Sequence, residues 1–466
     1  MSRRNVEMCK GPLLKNIIVY TVPIIFTGVL QLLFNAADLI VVGHFKGSTS
    51  VAAVGATGAL INLLVNLFIG LSVGVSVTVA QGIGTGRQED VSKTVHTAIP
   101  AALVSGGILT ILGVLFSRSF LELMSTPSDV IDLSTVYMQI YFAGITANML
   151  FNFGSAVLRA AGDTLSPLLY LIAAGVLNVV LNIFFVVVFS MNVEGVALAT
   201  VISQVLSAAL VVINLMRRKD ACKFKIRKMR FHGAQLAKIF YIGLPAGIQG
   251  SLFSISNVII QSSVNSFGSV VMSGNAASQN IEGFVYISMN SFHQTALNFT
   301  GQNYGAGNFG RIKRILAINL GSVFCLGMVF GMLAYIFSSP LLSIYIGDSQ
   351  EAIGYGAQRM ACICTIYFLC GIMDVMTGML RGIGSSMSPM IITVLGVCGM
   401  RIGWIYTVFR IPEYHTPVSL YLSYPISWLF TFLVELFVFM VMLKRKQKQY
   451  AINRSSEDER GVGYSG

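Results

Sequence analysis

Charge is scarce in this chain. Of its 466 residues, 11% are Asp, Glu, Lys or Arg, with 19 acids against 31 bases, while 55% are hydrophobic and the mean hydropathy is +0.74. So little charge in so apolar a sequence excludes both an ordinary water-soluble globule and a disordered polyelectrolyte. Segments of ~10 residues with alternating polarity are missing, which excludes a membrane β-barrel. No Gly-x-x-x-x-Gly-Lys-Ser/Thr loop occurs, and the polar segments are too short to fold an ATPase, so no nucleotide engine lies in this chain. The seven cysteines fall mostly within apolar runs and offer no disulfide framework. Cys362 and Cys364 would point about 200° apart on a helix, so they cannot grip one metal ion together, and apolar packing accounts for them and for Cys370. The clustered nucleophile and base that a lipid-acting enzyme needs are missing as well, and no enzymatic activity is expected.

What the chain has is long apolar runs. Twelve are long enough for the roughly 20 residues that a bilayer core demands. They lie at about 17–43, 51–83, 94–117, 133–158, 165–191, 195–216, 239–265, 270–302, 315–337, 355–380, 387–409 and 417–443. The first continues past ~20 residues without a small-residue cleavage site, so it is expected to stay as a span rather than leave as a signal peptide.

The runs belong to a duplication. Leu158–Pro167 (Leu-Arg-Ala-Ala-Gly-Asp-Thr-Leu-Ser-Pro) returns as Leu380–Pro389 (Leu-Arg-Gly-Ile-Gly-Ser-Ser-Met-Ser-Pro), 222 residues later. Pro23 maps to Pro245 at the same offset, and Gln81–Gly86 maps to Gln302–Gly307 one residue short of it. One unit has been copied, and isolated motifs could not have shown this.

Basic residues set the orientation. They gather before the first run (Arg3, Arg4, Lys10, Lys15) and after every second one (Arg87 and Lys93; Arg159; Arg311, Lys313 and Arg314; Arg381), and these ends should face the cytoplasm. From Arg217 to Lys238 nine bases stand against the single acid Asp220, and Lys444, Arg445, Lys446 and Lys448 follow the last run. The intervening loops carry acids instead, as in Glu122, Asp129 and Asp132, or Asp348 and Glu351. The net charge of +12 is thus mostly topology, and a basic loop beside anionic lipid requires no nucleic-acid partner.

Six spans per copy start both copies on the same side, so the repeats are parallel. The expected fold is an all-α integral membrane protein of twelve transmembrane helices in two parallel six-helix repeats with a central cleft. Its parts are a cytoplasmic segment 1–16, one lobe at 17–216, a basic cytoplasmic linker at 217–238, a second lobe at 239–443 and a disordered cytoplasmic tail at 444–466. Duplicated bundles that rock about a midplane site are a common plan for secondary transporters. The expected setting is the cell membrane, with both termini cytoplasmic, as a monomer in the bilayer without nucleic acid or cofactor.

Ionisable residues inside spans mark ion or substrate pathways, because each costs about 2.5–3.5 kcal/mol to insert. Here they include Asp38, Glu282, His293, Asp374, Arg401 and Glu435. Arg401 is expected to neutralise Glu435 or Asp374. No basic residue in the spans of its own lobe can pair with Asp38, and its company is amide-rich. Asn35 shares its helix face, and Asn62/Asn66, Asn148/Asn152 and Asn178/Asn182 are further i, i+4 pairs. Carboxamides around one carboxylate can hydrogen-bond a protonated acid or offer oxygens to a small hard cation. Glu282 and His293, eleven residues apart, share a face at two depths, a spacing that suits a proton or cation path.

The Pro23 span with Asn35-Ala-Ala-Asp38-Leu-Ile-Val-Val-Gly43, the Gly-x-Gly turn at 84–86, the paired Leu-Arg-x-x-Gly-x-x-x-Ser-Pro motifs and the stretch Gly195–Gln204 resemble the multidrug and toxic compound extrusion (MATE) family over roughly residues 8–443. The resemblance implies an antiporter driven by Na⁺ or H⁺ that exports bulky organic cations or aromatic drugs. It also implies that Asp38, Asn178 and Asn182 occupy the cation-coupling positions of the first lobe; Asn35, Asn152, Thr200 and Gln204 are the candidate supporting polar residues, and Na⁺ at Asp38 is the one candidate metal ion. Many members carry Asp where Asn182 stands, and some carry Glu on the seventh span where Ser254 stands. The second-lobe candidates are therefore Glu282, Asp374 and Glu435. A flippase for a lipid-linked precursor shares the helical plan, but it would want a strongly basic cleft that Arg401 alone does not supply.

Overall fold

This computed structural model describes residues 5–124, 126–347 and 349–461, without the side chains of Ser48 and residues 453–461. Arg3, Arg4 and Asp348, which entered the orientation argument, lie outside the described residues. Among the described residues the chain is helical and no strand forms. An apolar chain must satisfy every peptide N–H and C=O internally, and a helix does this within one segment.

The helices are α1 (Leu13–Lys46), α2 (Ser48–Gly84), α3 (Gln88–Leu123), α4 (Ile131–Ala143), α5 (Ile145–Ala160), α6 (Leu165–Ile183), α7 (Val193–Arg217) and α8 (Gly233–Asn265). There follow α9 (Ser269–Gly305), α10 (Phe309–Ile336), α11 (Ser338–Ile346), α12 (Gln350–Ile363), α13 (Phe368–Gly382), α14 (Met387–Thr393), α15 (Met400–Tyr406) and α16 (Pro417–Gly461). Wider π-helical turns extend α6 through Phe184–Val188 and join α14 to α15 through Val394–Gly399.

Among the described residues, nine helical segments are long and apolar enough to cross a membrane, or eleven if each of two pairs bent by 47° counts as one. The bends divide α4 from α5 at Gly144 and α12 from α13 near Tyr367, so the expected fourth and tenth spans are each two helices. Helix α9, at the place of the expected eighth span, is not among them, because Asn275, Glu282, Asn290, His293 and Asn298 make it too polar along its length. The tail expected to be disordered over 444–466 continues α16 through Gly461, and its last residues, 462–466, lie outside the described residues. Side chains such as Leu115 (69% exposed), Ile40 (68%) and Phe437 (70%) cover the outer faces, as lipid-facing positions require.

The duplicated motif folds alike in both copies. Gly162 and Gly384 take φ of +91° and +83°, and Asp163 N–H and Ser385 N–H donate back to Leu158 O and Leu380 O at 2.9 and 3.0 Å. These left-handed glycines end α5 and α13, which explains why the repeat keeps a Gly there. The Ser-Pro that follows lies in the first turn of the next helix, where a missing N–H costs nothing. In the first copy Asp163 also accepts from Ser166 N–H (3.0 Å) and Oγ (2.7 Å), tying off the start of α6.

The chain divides into two compact units. One contains Ile18–Val79 and Gln88–Ile259, and the other contains Met8–Ile17, Ala80–Arg87 and the described chain from Ile260 on, so the division passes through α1, α2 and α8. Within the first unit, α2 and α8 approach so closely that a Cβ on Gly70 would lie 2.2 Å from Gly247 N, and one on Gly247 would lie 2.1 Å from Leu67 O. Backbone atoms cannot move aside for a side chain.

Gly70→Val is therefore expected to push α2 off α8 at a cost of about 1–3 kcal/mol or more. Thermal unfolding in detergent should show a clear drop for this variant. Gly107→Ala, where a Cβ would meet nothing within 4 Å, should keep or raise stability. Equal melting of the two variants would contradict the packing.

Candidate functional site

The second half of α1 presents Gln31, Asn35 and Asp38 on one face, spaced at three and four residues. They open onto a cavity of about 270 Å³ inside the first unit, shared with Asn178 of α6 and Thr200 and Gln204 of α7. Asp38 is 8% exposed and Asn182 wholly buried.

Four side chains close a hydrogen-bonded ring. Asn182 Nδ2 donates to Asp38 Oδ1 at 2.5 Å and to Asn178 Oδ1 at 3.3 Å. Thr200 Oγ1 donates to Asp38 Oδ2 at 3.2 Å and accepts from Asn178 Nδ2 at 3.4 Å. Both carboxylate oxygens thus have a neutral donor. Among the described residues no Lys, Arg or His lies within ion-pairing distance of Asp38. Asn182 Oδ1 is buried and has no hydrogen-bond partner. Neutral donors lower the cost of burying the charge, but they leave it uncancelled. The arrangement can therefore take up a positive ion, with the Asn182 carbonyl oxygen as a waiting acceptor beside the carboxylate.

The structure sorts the expected supporting residues. Asn35, Thr200 and Gln204 line the cavity. Asn152 does not: its amide donates to Asn148 O (2.9 Å) and Asn148 Oδ1 (2.8 Å) on its own helix, and Asn148 reaches the wall instead. Asn62 and Asn66 are also absent from the lining, and Asn66 lies near Gly250 on α8. An i, i+4 amide pair can bond along its own helix, so spacing alone does not aim it at a site. The aromatic wall of Phe34, Tyr137 and Tyr141 was not singled out from the sequence. Tyr137 and Tyr141 stack at 6.3 Å one turn apart on α4, a spacing visible in the sequence. Gly175 makes room for Phe34, whose ring a Cβ there would strike at 1.8 Å.

In the second unit the expected face of Glu282 and His293 is not a common path. Glu282 forms a two-pronged ion pair with Arg359, at 2.8 Å for both Nε–Oε1 and Nη2–Oε2, and Arg359 Nη1 donates to Asn275 Oδ1 at 2.9 Å. The rings of Tyr421 and Tyr424 lie 5.3 Å from the same guanidinium. Arg359 lies inside the expected tenth span, an arginine within the spans in addition to Arg401, and is ion-paired where, among the described residues, Arg401 is not. Its charge is answered by Glu282, so it adds no free positive charge for a phosphate. His293 bonds elsewhere, through Nδ1 to Asp374 O (2.7 Å) and Nε2 to Arg381 Nη1 (3.5 Å).

Arg401 does not neutralise Glu435 or Asp374. It donates to Ser427 Oγ at 3.0 Å and lies 3.9 Å over the Tyr424 ring, a cation–π arrangement in place of the expected ion pair. Glu435 Oε1 accepts from Thr377 (2.8 Å) and Thr393 (3.0 Å), while its buried Oε2 has no hydrogen-bond partner. Asp374 Oδ2 accepts from Asn290 at 3.3 Å. Arg381, counted above as a loop charge, is 6% exposed.

A family model described as MatE matches the chain twice, over residues 23–184 and 245–407, each match beginning on the proline that the 222-residue offset aligns. A probable multidrug resistance protein of Bacillus subtilis (strain 168), YoeA, is 26% identical over 437 residues, covering 92% of this chain and 94% of that protein. An FAD transporter of Shewanella oneidensis is 24% identical over 335 residues, covering 69% and 72%. A crystal structure of MATE in the bent conformation shares the fold with a TM-score of 0.88 at 20% identity, over 97% of this chain and all of that one.

The Glu282–Arg359 pair should behave as a staple. Glu282→Ala leaves a buried guanidinium uncompensated and is expected to cost about 3–5 kcal/mol, whereas Glu282→Leu with Arg359→Leu should cost much less. Melting curves of the two variants in detergent check this. A Glu282→Ala protein that melts like the parent would remove the staple.

Proposed function

Because the chain belongs to the MatE family, whose members are transporters and not enzymes, we propose that it is a Na⁺- or H⁺-coupled antiporter exporting organic cations or aromatic drugs. The observation that carries this reading is Asp38: a carboxylate on a cavity wall, held by two neutral donors, Asn182 and Thr200, and faced by no basic residue among those described. The names of multidrug-resistance relatives favour drug export over the flipping of a lipid-linked precursor. The reading includes the twelve-span, two-repeat layout, cytoplasmic termini in the cell membrane, a monomeric unit and alternating access between the two halves.

In the ring as it stands, Asn182 offers its NH₂ to Asp38, the orientation that suits an ionised carboxylate. A proton or Na⁺ arriving at Asp38 removes the need for that donor. Rotation of the Asn182 amide would then bring Oδ1, now unpartnered, toward the ion, while Asn178 Oδ1 and Thr200 Oγ1 add oxygen ligands. One carboxylate with three amide or hydroxyl neighbours thus has two states distinguished by a single positive charge. The aromatic wall gives a flat, polarisable face for a drug ring or an organic cation. Bringing one charge down ~100 mV supplies about 2.3 kcal/mol, enough to shift a two-state equilibrium roughly fiftyfold. In the second lobe, Glu435 and Asp374 are the acids left to couple to an ion, since Glu282 is committed to Arg359.

The test is efflux of a fluorescent organic cation from proteoliposomes under a Na⁺ gradient at fixed pH, and separately under a pH gradient without Na⁺. One gradient should drive transport, and Asp38→Asn should reduce it to the level of protein-free vesicles while the protein still folds. Wild-type rates from Asp38→Asn would exclude Asp38 from coupling. Inertness of folded wild-type protein under both gradients, across several organic cations, would end the drug-efflux reading.

A further inference from the structure

Outside the predicted spans, the basic linker is not a loose loop. After α7 ends at Arg217, Lys223 N–H donates to Asp220 O and Phe224 N–H to Leu215 O, both at 3.0 Å, folding the chain back on the helix end. The side chains of Cys222 and Phe224 are 2% and 3% exposed, and the Phe224 ring lies 5.6 Å from the ring of His96 on α3. Burying alternate residues of an extended stretch turns Lys223 and Lys225 outward together.

His96 fixes the next residue. Its Nε2 accepts from Lys225 N–H at 3.1 Å, so Nδ1 carries the hydrogen and donates to Ser92 O at 2.7 Å. Further along, His232 N–H donates to Thr97 Oγ1 at 3.2 Å, a second pin to the same helix.

Beside the first of these pins lies a cavity of about 200 Å³, lined by Lys223, Lys225, Lys228, Ser92, His96 and Asp220 together with Ala221. The one acid is already spoken for: Arg218 Nη2 reaches Asp220 Oδ2 at 2.6 Å, and Cys222 N–H donates to Oδ1 at 3.0 Å. Burial works against the ionised form, yet the Arg218 guanidinium holds the Asp220 carboxyl below its ordinary range. Among the described residues none of the three lysines has a carboxylate partner. Three lysines lining one hollow, with the one acid among its lining residues already paired, are complementary to a phosphate-type anion.

The neighbouring residues decide where that phosphate comes from. Ile226, Met229 and Phe231, neighbours of the lysines in sequence, are 61%, 41% and 49% exposed, apolar surface that a free anion in water would not use. The linker also leaves a helix long and apolar enough to cross a membrane, so it starts at the bilayer surface. We propose that Lys223, Lys225 and Lys228, held in place by His96, form a binding site for the headgroup phosphate of an anionic phospholipid, with Ile226, Met229 and Phe231 resting in the interface.

The experiment uses the purified full-length protein in detergent, delipidated and titrated with fluorescent phosphatidylglycerol. Saturable binding is expected, and Lys223→Gln, Lys225→Gln and Lys228→Gln together should weaken it at least about tenfold, since each lysine adds to the attraction. Lys228→Glu alone should weaken it measurably, so the test does not depend on the triple variant folding. Arg227→Gln removes from the same stretch one positive charge that does not line the cavity and should leave binding unchanged. Phosphatidylcholine binding as tightly, or Arg227→Gln weakening binding as much as the triple variant, would overturn the site. Full displacement of the lipid by inorganic phosphate at equal concentration would overturn the lipid assignment.

Discussion

An ionised side chain buried among apolar helices must have its charge answered, and this chain answers it in three ways. Glu282 meets Arg359 in a two-pronged ion pair. Arg401 rests on the face of Tyr424 and the hydroxyl of Ser427. Asp38 receives neutral donors, from Asn182 and Thr200, as Glu435 does from Thr377 and Thr393, so these acids meet no opposite charge in the hydrogen bonds they accept. The first arrangement makes a charge structural, and the last leaves it chemically available. Charges of similar burial therefore play different roles, and the difference lies in the partner rather than in the depth.

Backbone satisfaction constrains the rest. Helices meet the demand within each segment, and the places where they stop need special provision. The repeated motif supplies it through a left-handed glycine that ends one helix and a Ser-Pro that opens the next, at Gly162 and again at Gly384. Close helix contacts need a different provision, the absence of a side chain, as where Gly70 of α2 meets Gly247 of α8. The polar linker obeys the same rule from outside the spans: its amides are taken up by Asp220 O, Leu215 O, His96 and Thr97, which gives basic residues fixed positions.

Cavity and ring are interdependent. The hollow beside Asp38 is walled by residues of α1, α4, α5, α6 and α7, and the ring exists because one residue from α1, two from α6 and one from α7 converge there. Filling the hollow with apolar side chains would strand the carboxylate away from any ion. Removing the ring would leave the charge without donors, and burial in its ionised form would become prohibitive.

By itself the sequence determined the solvent, the helical class, the duplication and the acid without a basic partner. Hydropathy, a fixed offset and a count of bases near Asp38 are local or periodic properties, and they survive whatever the packing does. The amide pairs brought Asn178 and Asn182 forward, and the family resemblance brought Thr200, but spacing set Asn152 beside them and carries no sign that Asn152 bonds along its own helix. The partners were decided only in the tertiary structure. Glu282 finds Arg359 across 77 residues and Arg401 finds Tyr424 in place of an acid, because which faces of two helices meet depends on crossing and rotation that periodicity does not encode. The same holds for His96 and Lys225, 129 residues apart, which turn a run of charge into a shaped pocket.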